Sequence, residues 1–219
     1  MPQHALRRFV IGLAAAASLG ALAACSDSPT GLKHGYLSLY LTDAPGDVAE
    51  AVVTIDRIYL QPDSGSDAGR IVLREDDVTV DLLTLRDSIM GLIDSVEIPE
   101  GQYRQLRLVI SGGYLSIVGQ DTTTRQIYAS SPTYPGLPAG AVVTGELQMP
   151  SFAQSGLKVT LPASALVVGE DEVARLIIDF DVAQSFGRAA GNSGRWVMSP
   201  VIRASVPTPA DTLPVVPAP

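Results

Sequence analysis

Ala174-Arg175-Leu176-Ile177-Ile178-Asp179-Phe180-Asp181-Val182 sets apolar side chains at 174, 176, 178, 180 and 182 and charge at 175, 179 and 181. Successive side chains of a strand point to opposite faces, so this period of two puts one row into a core and leaves charge outside. The same alternation recurs through the chain. Leu37, Leu39 and Leu41 alternate with Tyr36, Ser38, Tyr40 and Thr42. Leu106, Leu108 and Ile110 form another row, and Leu157, Val159 and Leu161 a third. Ala51, Val53 and Ile55 give way to Ile58 and Leu60. That change of parity predicts a β-bulge near Asp56-Arg57. Shorter strands are expected at 71–73, 78–81, 114–118, 125–128 and 142–147, and a last strand over about 195–206 with Trp196, Met198 and Ile202. One segment departs from the pattern: Leu82, Leu85, Ile89, Leu92, Ile93 and Val96 recur at helical spacing, with Asp81 placed to cap them. Asp43-Ala44-Pro45-Gly46 suits a type II turn. Many short strands punctuated by Gly, Pro and Asp, with one short helix, predict a mainly β fold: an antiparallel β-sandwich of the immunoglobulin or prealbumin-like kind. A small closed barrel is the other arrangement such a pattern allows.

Upstream of this domain the chain carries an address. Arg7 and Arg8 precede an uncharged apolar run to Leu22, and Leu22-Ala23-Ala24-Cys25 closes it with the one cysteine in the sequence. This is the layout of a bacterial lipoprotein signal, cut between Ala24 and Cys25, with a lipid on the Cys25 sulfur. The run is short for a bilayer span. The alternative is an ordinary secretory signal that leaves Cys25 as a free thiol. The residues around Arg7-Arg8 match a twin-arginine signal only partly, which favours general export. Ser26 after the cysteine resembles sorting to the outer membrane of a two-membrane bacterium, facing periplasm or exterior; an aspartate there would suggest the inner membrane. The expected organisation is a signal peptide over 1–24, a lipidated tether over 25–35, a β domain over 36–206 and a tail over 207–219. Five prolines in that tail favour an extended polyproline-like chain that does not join a sheet.

Lys and Arg number 15 against 23 Asp and Glu, and the leader takes with it Arg7, Arg8 and no acid, which leaves 13 against 23 and a formal charge of −10. Nucleic acid needs a basic footprint, so this composition argues against such a partner. With its cysteine committed to lipid the mature chain has no thiol for a disulfide, for thiol catalysis or for a cysteine zinc site. The acyl chains would serve as its anchor, since two or more hold a protein stably at a membrane.

Several ordered blocks carry a resemblance. Tyr36-Leu-Ser-Leu-Tyr-Leu-Thr-Asp-Ala-Pro45, Val52-Val-Thr-Ile-Asp-Arg-Ile-Tyr-Leu60, Asp81-Leu-Leu-Thr-Leu-Arg86, Ile98-Pro-Glu-Gly-Gln-Tyr-Arg-Gln-Leu-Arg-Leu108, Ser155-Gly-Leu-Lys158, Ile178-Asp-Phe-Asp181 and Pro200-Val-Ile-Arg203 resemble the bacterial and archaeal family called domain of unknown function 4382. The resemblance covers about 35–205. It implies an exported, often lipid-anchored β domain and brings no catalytic residues with it. The stretch 120–140, rich in Thr, Ser and Pro, matches nothing fixed in that family and reads as a variable loop.

Chemistry finds few candidates. His34 is the single histidine of the mature chain and falls in the tether, a poor place for a general base. Ser155-Gly-Leu-Lys158 matches a Ser-x-x-Lys motif, but it enters a period-two strand and lacks the supporting Ser-Asp-Asn and Lys-Thr-Gly elements. Calcium is the candidate cofactor: Asp63 and Asp67, and Asp179 and Asp181, are paired carboxylates at loop-like spacings, although Asp179 and Asp181 also suit outward strand positions paired with Arg175 or Arg203. Tyr36, Tyr40, Tyr59, Tyr103, Tyr114, Tyr128 and Tyr134 would suit a glycan-binding face or the margins of a core. The expected function is a lipid-anchored, noncatalytic envelope module that binds a protein, glycan or polymer. A structural or assembly lipoprotein, with the tail as spacer or docking strand, is the second reading. A glycosidase-like enzyme with two carboxyls about 5 to 10 Å apart is the third.

Overall fold

The computed structural model describes residues 33–44, 48–61, 69–118, 124–149, 152–162, 166–186, 194–207 and 214–216. Cys25 and Ala24, Asp63 and Asp67, and the turn at Pro45-Gly46 lie outside the described residues. The strands are β1 (His34–Ala44), β2 (Glu50–Gln61), β3 (Ile71–Arg74), β4 (Val78–Asp81), β5 (Ile89–Pro99), β6 (Gly101–Gln102), β7 (Gln105–Val118), β8 (Arg125–Ala129), β9 (Val143–Gln148), β10 (Leu157–Thr160), β11 (Val167–Val168), β12 (Val173–Asp181), β13 (Arg195–Val197), β14 (Ile202–Ser205) and β15 (Val215–Val216). A 3-10 helix spans Leu82–Leu85, and two short helices, α1 (Phe152–Ser155) and α2 (Val182–Phe186), complete the set.

The strands form one sheet in the order β14-β12-β1-β5-β15 and a larger one in the order β13-β9-β8-β7-β2-β3, to which β4 adds on β2 and β10 on β7; β6 and β11 pair separately. The fold is mainly β, as expected. The sheets are mixed rather than antiparallel, because β1 with β12, β8 with β9, β9 with β13, and β5 with β15 all run parallel. Sequence alternation reports which face is buried and carries no information on the direction of a neighbour.

Both sheets contribute to one apolar core. Leu37, Leu39, Leu41, Leu176, Ile178, Phe180 and Val182 enter it from the first sheet and its α2 continuation, and Val53, Ile55, Ile58, Leu60, Leu106, Leu108 and Ile110 from the second. Each fully buried side chain of this size contributes roughly 1.5–3 kcal/mol relative to exposure. The parity change in β2 is the expected bulge: Ile55 faces Ile110 and Arg57 faces Val109, so Asp56 is the extra residue.

Three readings of the chain change. The helical spacing continues only through the 3-10 turn, which Asp81 caps by accepting from Leu83 N. From Ile89 the chain is a strand on β1 with register shifts between Leu37 and Leu39 and between Leu39 and Tyr40. Each shift inserts one residue into β5 and flips the inward parity, so two bulges close together imitate the spacing of a helix. Ser95 at one of them has φ 54°. The last strand is two: β13 pairs β9 in one sheet and β14 pairs β12 in the other. Pro200 lies between them, where no backbone N–H is needed for a ladder. The proline-rich tail does join a sheet. Ile89 N donates to Pro214 O at 3.0 Å and Val215 lies opposite Ile89. Proline keeps its carbonyl acceptor, and the valines on its C-terminal side supply the strand. Among the described residues no helix is long and apolar enough to cross a membrane.

Candidate functional site

The distinguishing feature of the larger sheet is built on Ser111-Gly112-Gly113, in the middle of β7. Apolar rows on either side of it read as two strands in the sequence, but the chain runs straight through as one of 14 residues. The glycines permit close approach. A Cβ on Gly113 would stand 2.6 Å from Val52 O, and one on Gly112 would stand 2.7 Å from the ring of Tyr134. Gly136 closes on the other side of that ring, where a Cβ would come within 2.6 Å. Tyr134 is thus clamped between two glycines. Its hydroxyl and Thr54 Oγ1 are 2.5 Å apart, and Thr54 Oγ1 is 2.7 Å from Thr79 Oγ1. The segment 130–142 follows its tyrosine down onto the sheet. Turns from Tyr134 N to Ser131 O and from Leu137 N to Tyr134 O shape it, and Val52, Tyr114, Ala129 and Tyr134 form a second small apolar cluster beneath it. The part of 120–140 that reads as a variable loop therefore comprises strand β8 and this packed cover.

Around the cover lies a track of three separate clefts that share lining residues in series. The first, of about 520 Å³, is lined by Ile110, Ser111, Ser130, Glu146, Leu147, Gln148 and Met149. The second, of about 480 Å³, shares Ser130 and Glu146 with it and adds Pro132 and Thr144. The third, of about 430 Å³, shares Ser111 and adds Thr54, Asp77, Thr79 and Tyr134. Hydroxyls and an amide dominate the polar lining. Each cleft brings a single carboxyl group: Glu146 in the first two and Asp77 in the third. Glu146 pairs with Arg195 at 3.2 Å. Above the small cluster, Glu50 accepts from Tyr114 Oη at 3.1 Å and from Arg125 Nη1 at 3.1 Å. Burial first, and then the charge of Glu50, push the Tyr114 phenol well above its ordinary range.

The sequence-predicted site residues fall elsewhere. Asp179 and Asp181 come together with Asp43 where β1 and β12 end. Asp181 is not an outward residue: it is buried, accepts from Gln184 N at 2.9 Å at the start of α2, and has Arg203 Nη1 at 3.9 Å. Asp43 Oδ1 accepts from Val182 N at 3.1 Å, while Asp43 Oδ2 and Asp179 Oδ1 are buried without a hydrogen-bond partner. Burial above all, reinforced by Asp179 and Asp181, pushes the Asp43 carboxyl up to about 7 against the opposing pull of the Val182 N–H and Arg86. Burial followed by Asp181 raises Asp179. Among the described residues no group of three or more His, Cys, Asp or Glu side chains is placed to hold a metal ion.

His34 belongs to β1 rather than the tether, with Nδ1 3.6 Å from Glu97 Oε1 and its carbonyl accepting from Asp171 N. Ser155 ends α1 and Lys158 lies on β10, with Gly156 at φ 69° turning the chain between them. That is not the helix start from which a Ser-x-x-Lys motif works. The tyrosines do not make an exposed face. Tyr59, Tyr103, Tyr114, Tyr128 and Tyr134 are buried, and Tyr103 and Tyr128 belong to the main core. Sequence reading passed over Ser111, Ser130, Glu146 and Gln148; the one local signal was the glycine pair inside an apolar strand pattern, a mark of close backbone approach.

No curated protein and no solved structure matches the chain. A family model described as Domain of unknown function (DUF4382) matches residues 34–200, which takes in the larger sheet, β1, β5 and β12 of the other, and the residues lining the three clefts. The chain belongs to the DUF4382 family.

Proposed function

We propose that this protein is a lipid-anchored, noncatalytic module of the cell envelope, built as a β-sandwich and holding an envelope partner through the cleft track beside Tyr134. The observation that carries the reading is the lining of that track: convergent hydroxyl, amide and backbone groups with one carboxyl in each cleft. Such a lining can hold a ligand by hydrogen bonds. Hydrolysis of a glycosidic bond takes two carboxyls across one cleft, so the lining favours binding over the glycosidase-like alternative. Two sheets over a shared core support a sandwich of the immunoglobulin or prealbumin-like kind, in a variant with mixed strand directions. The leader ending in Cys25 supports the anchor, and Ser26 supports the outer membrane.

Photo-crosslinking of the native lipoprotein in intact cells tests the reading. A photoreactive residue at Thr144 or Gln148 is expected to capture an envelope component, and one at Lys158, away from the track, is not. No capture at either track position, or equal capture at all three, overturns the proposal. One observation favours the second reading, a structural or assembly role: the tail strand β15 pairs with β5 through just two residues. If that strand works by docking in assembly, deletion of 207–219 will change association or localisation; unchanged behaviour sinks it.

A further inference from the structure

In the smaller sheet β5 has β1 along one side and the two-residue β15 on the other. A strand edge presents unpaired N–H and C=O groups to any other extended chain, and charge, bulges, prolines and covering segments are the usual means of blocking it. The second half of β5 has several of these. Asp94 and Glu97 are exposed, Ser95 at φ 54° interrupts the strand backbone, and Arg74 Nη1 takes Leu92 O at 2.8 Å. The first half has neither charge nor bulge. Ile89-Met90-Gly91-Leu92-Ile93 is an uncharged apolar run without proline, the composition of a segment that pairs with copies of itself. What covers its start is β15: Ile89 N donates to Pro214 O at 3.0 Å, and Val215 and Val216 lie opposite Ile89 and Met90.

The build of β15 suits a cover more than a core strand. Pro214 and Pro217 bracket the two valines, and proline offers no N–H, so this strand neither lengthens along β5 nor passes a regular ladder on to a further strand. Val215 is 59 % and Val216 36 % exposed, so the tail adds little to the core. β5 lies within the residues that the family model matches, and β15 beyond them. The covered edge therefore belongs to the matched domain, and its cover is an appendage.

Without β15 this edge is complementary to the same edge of a second copy. Antiparallel pairing about a two-fold axis at Met90 sets Ile89 opposite Gly91 and Asp87 opposite Ile93, so no acid faces an acid. The ladder with β15 employs the N–H and C=O of Ile89, and a second copy would take over those groups. Such a contact uses one patch on both chains and closes at two.

We infer that β15 is an edge guard: the Pro-Val-Val-Pro tail, folded back on its own chain, keeps residues 89–91 from pairing with the same residues of a second copy. The inference does not rest on the cleft reading. It also parts from the assembly reading of the tail, under which deletion loses a partner; here deletion gains one.

Sedimentation of the full chain in density-matched micelles, in excess over protein, tests the guard, with amide exchange at 89–91 read on the same samples. The parent is expected to keep a single mass over about a hundredfold range of concentration. Chains that lack 207–219, or that carry Val216→Pro and so lose an N–H the parallel ladder needs, are expected to move toward twice that mass as concentration rises. At the dilute end their exchange at 89–91 is expected to be at least about tenfold faster than the parent's, and at the concentrated end to slow again as copies pair. Gly91→Lys in the deleted chain is expected to restore the single mass, since a Cβ at Gly91 meets no atom within 4 Å and a lysine blocks an edge. A deleted chain that stays at the parent's mass, or a parent that associates as strongly as the deleted chain, overturns the inference. So does association that Gly91→Lys leaves in place, or that slows exchange away from 89–91. Should the deleted chain not fold, Val216→Pro with and without Gly91→Lys carries the same test.

Discussion

At Tyr134 one hydroxyl ties a surface segment to the middle of a sheet. Its bond to Thr54 is buried, and Thr54 in turn reaches Thr79. Tyr134→Phe removes the bond and keeps the ring, so a loss of about 1–2 kcal/mol in denaturant unfolding is expected. Gly112→Ala attacks the same contact from beneath, because its Cβ would meet the ring at 2.7 Å. It should displace the 130–142 cover and cost about 1–3 kcal/mol. Asp43 provides the test by pH. Its carboxyl titrates near 7 when folded and near 3.9 when unfolded, so between those values the folded protein holds a proton that the unfolded chain has released. Stability from this group is complete below about pH 4 and is lost as the pH rises through 7, by an amount on the order of 4 kcal/mol. Asp179 shifts in the same direction. Asp43→Asn keeps an acceptor for the Val182 N–H and removes the buried charge. The variant is expected to melt higher than the parent at pH 8 and to show a flatter profile from pH 4 to 7; a parallel profile would refute the assignment.

At the level of elements, the end of the 3-10 helix and the end of β5 show how far local sequence reaches. Asp81 is a good local prediction. Its carboxylate accepts from Leu83 N at 3.2 Å and also from Ala51 N at 3.1 Å, so one side chain caps the turn and fastens it to β2. Asp81→Ala should cost about 1–2 kcal/mol, measured by thermal unfolding. The next eleven residues are where the local signal fails. Ile89, Leu92, Ile93 and Val96 have a helical spacing, but β1 offers them a partner along most of its length, and two bulges absorb the mismatch. On the other edge of β5, Arg74 Nη1 donates to Leu92 O at 2.8 Å and Pro214 O accepts from Ile89 N. Both valines of β15 remain largely outside the core. Deletion of 207–219 should therefore speed amide exchange at Ile89 and Met90 while shifting the global melt little, less than Phe180→Ala in the core, for which a loss of about 3–5 kcal/mol is expected.

On the scale of the whole molecule, the address and the domain call for separate tests. Cys25→Ser removes the sulfur that the proposed anchor would acylate and nothing of the described domain. The variant is expected to move from the membrane fraction to the soluble exported fraction and to lose incorporation of labelled fatty acid, with an unchanged melt. A variant that stays membrane-bound without label would show that the anchor lies elsewhere. Much of the fold was legible along the chain: the inward rows of β1, β2, β7, β10 and β12, the bulge at Asp56 and the cap at Asp81 all stand as the alternation placed them. These follow from burial of one face of a strand, a preference each residue expresses with its near neighbours. The candidate site was scarcely legible. Ser111, Ser130, Glu146 and Gln148 are ordinary surface residues in the sequence, and what makes a site of them is that the larger sheet brings them to one cleft. By itself the sequence determined which residues seek the core, the acidic balance of the chain and the lipoprotein-like leader, because these depend on composition and short-range order. Only the tertiary structure decided which strands became neighbours, their parallel or antiparallel sense, the return of the tail to β5 and the clefts beside Tyr134, because pairing energy comes from partners distant in the chain that no local period encodes.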